Sequence, residues 1–315
     1  MALVAMALLF YNTAGTSGWS AWKGVTRHDI GDSGERRENS RGVAAMKIGA
    51  VQFEPIFGEV DRNLELAGSL IRQSDAHLLV LPELFNTGYL FTSKEEVISL
   101  SEEIPYGKTT QMLCNAAKEK GIFIAGGIAE KDGGRIFNSS VLVSPDGYVG
   151  RYRKIHLFFE ETLWFDRGDE GFGVYDIETC KVGIMICFDW FFPESMRSLS
   201  LMGADIICHP ANLVMPFCQD AMKTRCLENH VFAITANRTG TEDRGGSPLS
   251  FTGKSQITGP DGGILCRAGK DSREVTTTEI DVMTARDKRL NIYNDLFSDR
   301  KPEFYGELTA GNEEQ

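Results

Sequence analysis

Three stretches that read as strands each end in a residue able to do chemistry. Leu78-Leu79-Val80-Leu81-Pro82 leads to Glu83, Tyr152-Arg153 leads to Lys154, and Val182-Gly183-Ile184-Met185-Ile186 leads to Cys187. A thiol becomes a strong nucleophile on losing its proton, a carboxylate can take that proton, and an ammonium can hold developing negative charge. In α/β sheets such side chains collect at the carboxyl ends of strands, where the chain leaves the core and faces a crevice. Singly, each has a plainer reading: a turn carboxylate, a surface lysine, a core cysteine. The signal is the three together, with the sequence that flanks them.

The elements that must position these residues are readable from periodicity. Lys47–Phe53 reads as a strand, and Asp61–Gln73 as an amphipathic helix with Leu64, Ala67, Leu70 and Ile71 on one face. His77–Leu81 is a short buried strand stopping at Pro82-Glu83. Thr109–Lys120 is a helix closed by Gly121, followed by a strand at Ile122–Ile128. Ile136–Val143 and Val149–Ile155 form a hairpin about Pro145-Asp146-Gly147. Lys181–Ile186 is the strand before Cys187, and Pro193 opens a helix running to Met202. Asp205–His209 and Val231–Ala236 are strands around a helix at Asp220–Asn229. Phe251–Thr258 and Ile264–Arg267 make a second hairpin, and Glu274–Asp281 is the last core strand. Helices alternating with strands and hairpins fit sheets covered by helices, in one α/β domain over residues 46–300. Residues 301–315 form an acidic tail, expected on the surface or against a neighbouring subunit.

Composition narrows the partners. The chain has 315 residues and a formal net charge of -11, with no basic run interleaved with aromatics, so nucleic acid is not expected as a partner. No apolar run reaches the roughly 18 residues that span a bilayer. Met1–Phe10 is apolar but lacks a preceding cationic segment, so it is not read as a secretory peptide. Residues 1–45 read as a disordered or non-native extension. The seven cysteines are odd in number, without CxxC or zinc spacing, and apart from Cys187 read as small buried hydrophobes of a cytoplasmic protein. The sequons at Asn138 and Asn237 read as chance matches. Gly253-Lys254-Ser255 is not a phosphate loop, because Pro248 stands where its first glycine belongs.

The flanking sequence resembles the nitrilase superfamily. The matching segments are LPELFNTGY (81–89), YRKIHLF (152–158) and ICFDWFFPE (186–194), with HPANLV (209–214) and RCLENHVF (225–232). The resemblance runs over nearly all of residues 47–300 and is nearest to short amidase and nitrilase members. It implies a four-layer αββα sandwich, paired through its helices into a homodimer or a higher homo-oligomer. It also implies a catalytic triad of Glu83, Lys154 and Cys187, with Glu161, seven residues past Lys154, as a second glutamate of the site.

Physical chemistry says what such a site must accomplish. A thiol near pKa 8.5 and a carboxylate near 4.3 are mismatched by roughly 4 units, about 6 kcal/mol. Burial beside a second carboxylate is expected to raise Glu83, and the Lys154 ammonium to favour the thiolate. Glu83 would then take the thiol proton as Cys187 attacks an amide carbon. Lys154 and the backbone N–H of Phe188 would hold the oxyanion, and Glu83 would protonate the departing amine and activate water against the thioester. Glu161 is expected to orient Lys154 or to hold substrate or water. No metal or organic cofactor is required.

Phe158, Phe188, Trp190 and Asn212 are expected to contact substrate. Phe159 and Phe191 fit either the acyl pocket, the core or a subunit contact. His156 reads as a support of the loop, Arg225 and Glu228 as a structural ion pair, and Asn212 and Asn237 as residues ordering site loops. Within the family, true nitrilases resemble Cys-Trp-Glu at the nucleophile, whereas this chain has Cys187-Phe188-Asp189. The acidic and aromatic run through Phe192 does not suit a substrate carboxylate, which argues against N-carbamoyl amidases. The expected substrates are small neutral amides, with small nitriles as the alternative. A non-catalytic binding protein on the same scaffold would be expected to lack part of the triad, and all three members are present.

Overall fold

The computed structural model describes residues 45–246 and 248–310; the sequence reading of residues 1–45 as an extension falls, but for its last residue, outside them. The first sheet begins with β1 (Ala45–Gln52), β2 (Leu78–Val80), β3 (Phe123–Asp132), β4 (Arg135–Ser144) and β5 (Gly147–Arg153). The second contains β6 (Val174–Asp176), β7 (Lys181–Ile184), β8 (Ile206–Ala211) and β9 (Phe232–Asn237). A small ribbon, β10 (Thr241–Glu242) with β11 (Leu249–Ser250), precedes β12 (Gln256–Thr258) and β13 (Ile264–Arg267), which join the second sheet. Finally β14 (Glu274–Asp281) returns to the first. The orders are β14-β1-β2-β3-β4-β5 and β13-β12-β9-β8-β7-β6.

The helices are α1 (Val60–Gln73), α2 (Lys94–Leu100), α3 (Lys108–Lys120), α4 (Glu161–Trp164), α5 (Pro193–Leu201), α6 (Cys218–Asn229) and α7 (Met283–Arg286). The pair α1 and α3 covers the outer face of the first sheet, and α5 and α6 cover the second. The result is the four-layer αββα sandwich. Strand β2 shows why it forms. Leu78 and Val80 point into the core between the sheets, whereas Leu79 points outward to Leu64, Ile71 and Leu113 of α1 and α3. Side chains that alternate sides at period two, all of them apolar, demand a covered layer on each face. The α1 face of Leu64, Ala67, Leu70 and Ile71 is buried as its spacing requires, and α3 ends on Gly121 at φ +66, a left-handed cap.

The structure corrects several boundaries. Residues 251–255 do not extend β12; the Asn237 side chain and Gln52 hold this stretch by hydrogen bonds to Thr252, Gly253 and Ser255 instead. The strand before Cys187 stops at Ile184, and Cys187 opens a 3₁₀ turn through Phe191. Among the described residues no helix is long and apolar enough to cross a membrane, and residues 301–310 of the tail are exposed. Of the six cysteines read as buried hydrophobes, Cys180, Cys208, Cys218 and Cys226 are buried, while Cys114 and Cys266 are partly exposed.

Candidate active site

Glu83 follows β2 and is fully buried. Its backbone is held against β3 by Gly127 N–H donating to Pro82 O at 3.1 Å and Phe85 N–H donating to Gly127 O at 3.1 Å. A Cβ on Gly127 would lie 2.5 Å from the Glu83 Cα, so only glycine lets β3 pass behind this residue. Lys154 leaves β5 with its N–H donating to Asn138 O at 2.8 Å. Glu161 is the first residue of α4 and is also buried.

These three side chains meet. Lys154 Nζ donates to Glu83 Oε1 at 2.7 Å and to both Glu161 oxygens at 2.8 Å. Asn138 Nδ2 donates to Glu83 Oε1 at 2.7 Å, leaving Glu83 Oε2 without a hydrogen bond. Glu161 also accepts from Tyr89 Oη at 2.7 Å and from Phe158 N–H at 3.2 Å. Each of these partners of Glu161 can donate a hydrogen bond to it.

Cys187 sits at φ +40, a conformation disfavoured for a residue with a Cβ. Two groups pin it. His209 Nε2 lies 3.0 Å from the Cys187 carbonyl and its Nδ1 3.1 Å from Thr235 Oγ1. Burial lowers the His209 pKa to about 4, so the ring is neutral and Nε2–H donates to Cys187 while Nδ1 accepts from Thr235. The buried Asp189 carboxylate accepts from Ile186 N–H at 2.8 Å and Tyr152 Oη at 2.9 Å, and pairs with His156 Nδ1 at 2.7 Å. This clamp ties the Cys187 turn to both sides of Lys154. His156 also stacks on Phe192, with ring centroids 3.8 Å apart.

The electrostatics differ from expectation on the sulfur. Burial lifts the Glu83 carboxyl above its ordinary range, and the Glu161 charge adds to this against the pull of Lys154. Burial disfavours the Lys154 ammonium, but Glu161 and Glu83 outweigh it and keep it charged. The Cys187 thiol was expected to be drawn toward thiolate by Lys154. Instead burial, then the Glu83 charge, push it well above its ordinary value, and Lys154 only partly offsets them. The shift on the sulfur favours the thiol form at rest.

A narrow cleft opens at Cys187. Phe158, Phe188, Trp190 and Asn212, all singled out from the sequence, line it together with Val214 and Met215. The Phe188 N–H makes no hydrogen bond among the described residues, and the backbone N–H of Asn212 faces the sulfur. Phe159 and Phe191 are exposed and belong to neither core nor cavity wall. Asp189 adds no acidic character to the cavity, because its carboxylate is turned inward and occupied. Arg225 pairs with Glu228 at 3.2 Å and donates to Trp190 O at 3.2 Å. Asn237 orders the site loop, accepting from Leu213 N–H at 2.8 Å. Tyr89, Asn138, Tyr152, Asp189 and His209 were not selected from sequence as parts of the site. Tyr89, Tyr152, Asp189 and His209 lie inside the segments quoted for the resemblance, and Asn138 opens a sequon, its side chain fully buried.

A buried thiol, a carboxylate and an ammonium thus lie together at this cleft, and comparison with known proteins gives the family of the chain. Residues 47–289 match the carbon–nitrogen hydrolase family, and the chain belongs to it. A nitrilase of Pyrococcus abyssi is 49% identical over 263 residues, covering 82% of this chain and 99% of that protein. An (R)-stereoselective amidase of a Pseudomonas species is 33% identical over 270 residues, covering 84% and 94%. The crystal structure of a carbon–nitrogen hydrolase from Helicobacter pylori superposes with a TM-score of 0.78 at 25% identity, covering 84% of this chain and 99% of that one.

Proposed function

We propose that this carbon–nitrogen hydrolase is an amidase that cleaves small neutral amides to carboxylate and ammonia through a thioester on Cys187. The observation that carries this reading is the buried Lys154 ammonium bridging Glu83 and Glu161 beside Cys187. As the sulfur attacks the amide carbon, Glu83 takes the thiol proton. Burial raises the affinity of Glu83 for that proton and that of the sulfur as well, so the transfer accompanies attack on the carbon. The carbonyl oxygen becomes an oxyanion facing Lys154 Nζ and the free Phe188 N–H. Glu83 passes the proton to nitrogen, the C–N bond breaks, and ammonia leaves. Water then gives a proton to Glu83 and attacks the thioester, and the departing sulfur regains that proton. Glu161, surrounded by donors, keeps Lys154 charged and in place. Supporting a neutral acyl part, the lining of the cavity contains no charged side chain among the described residues.

A second reading, hydrolysis of small nitriles, is favoured by the relative named nitrilase at 49% identity, since the same sulfur can add to a nitrile carbon. Ammonia release from matched amide and nitrile pairs decides, with Cys187→Ala as control. Release from amides alone, lost in the variant, supports the amidase. Equal or faster release from nitriles replaces it with the nitrilase.

A further inference from the structure

Asn212 is 3% exposed, yet neither Oδ1 nor Nδ2 of its side chain has a hydrogen-bond partner. The loop does not need that side chain for its own support. The next residue, Leu213, donates its N–H to Asn237 Oδ1 at 2.8 Å and accepts from Thr252 N–H at 2.8 Å. Asn212 is one of the residues lining the Cys187 cleft, with Phe158, Trp190 and Val214. A buried carboxamide with its donors and acceptors unused is costly to keep in an apolar wall. Beside a nucleophile, the partner that relieves the cost is the molecule being attacked.

We propose that Asn212 is a specificity-determining residue that pairs with a neutral hydrogen-bonding group on the acyl part of the substrate. The site then takes small amides bearing a second carboxamide or a hydroxyl in preference to purely aliphatic ones of the same size. The asparagine offers both a donor and an acceptor, so its best complement also carries both. An aliphatic acyl group leaves the amide unpaired, and such sites discriminate strongly against the analogue that lacks the polar group. A carboxylate could meet Nδ2 but would bring a charge into a wall without a cation, which is unfavourable. This inference rests on the reading of Cys187 as the nucleophile of a C–N hydrolase.

The test compares propanediamide with 3-methylbutanamide, which match in heavy atoms and shape, in wild type, Asn212→Leu and Asn212→Ala. The ratio of their kcat/KM values should favour the diamide in wild type and fall at least about tenfold in either variant. A ratio that favours the aliphatic amide in wild type, or that the variants leave unchanged, overturns the proposal while leaving the amidase reading intact. Calorimetric binding of both amides to Cys187→Ala, with and without Asn212→Leu, separates the two ideas. Preferential diamide binding lost with Asn212, in a protein that hydrolyses no amide, supports the Asn212 proposal and defeats the amidase reading. Equal binding of both amides by Cys187→Ala counts against Asn212.

Discussion

Replacing Glu161 by glutamine tests the electrostatic half of the account. Lys154 Nζ is 2.7 Å from a Glu83 oxygen and 2.8 Å from the Glu161 oxygens, so the nearest oxygens of the two carboxylates are at most about 5.5 Å apart. At an effective dielectric of about 20, two like charges at that distance repel by about 3 kcal/mol, equivalent to about two pKa units. The Glu161 charge is one of the causes that raise Glu83. Removing it should let Glu83 ionise at lower pH and make it a weaker base for the thiol. The wild-type acid limb of kcat/KM against pH should fall above the ordinary glutamate value, since activity needs Glu83 ionised and its pKa is raised. In Glu161→Gln that limb should move down by one to two pH units, and the plateau should fall by about 10²-fold. The assay is ammonia release from a small amide between pH 4 and 9. An acid limb that stays in place while the plateau falls would refute the electrostatic argument and reduce Glu161 to a structural partner of Lys154 and Tyr89.

Gly127→Ala places a methyl against the Glu83 backbone, and chemical denaturation should show a loss of about 1–3 kcal/mol together with lowered kcat. His209→Phe removes the side-chain donor on the Cys187 carbonyl, and kcat should fall about tenfold with KM little changed; a change confined to KM would contradict the role given to this ring. Away from the site, Arg244 holds the Glu96 carboxyl at about 2 against an ordinary 4.5. Its contribution to stability is present above pH 4.5 and is lost as pH falls toward 2. The Tm difference between wild type and Glu96→Gln should therefore shrink to nothing over that interval, and a constant difference would rule the linkage out.

The parts of the site that were legible in sequence are those that end strands. Glu83, Lys154 and Cys187 each follow a stretch that reads as a strand, and the aromatic cluster after Cys187 marked Phe188 and Trp190 as cavity wall. The residues that support them were not legible, because their contacts span the chain. Asn138 reaches Glu83 across 55 positions and Tyr89 reaches Glu161 across 72, and nothing local distinguishes either from an ordinary strand or loop residue. Asp189 was misread for the opposite reason. It sits in the right motif, but only the fold shows its carboxylate turned inward to Ile186, Tyr152 and His156. Nor does periodicity reveal that Cys187 adopts φ +40, since that geometry is imposed by the His209 and Asp189 clamps. Among the secondary elements, β6, β10 and β11 and the four-residue α4 and α7 escaped because they are too short to show a period, and α2, with Val97 its one buried residue, shows no apolar stripe.

The claim on which everything else depends is that Cys187 carries the acyl group. Intact-protein mass spectrometry during turnover of a slowly hydrolysed amide tests it most directly. The account predicts a transient mass increase equal to the acyl group, mapped to the peptide containing Cys187 and absent from Cys187→Ser. Sustained ammonia release by Cys187→Ala, with no acyl adduct on the wild-type protein, would contradict it.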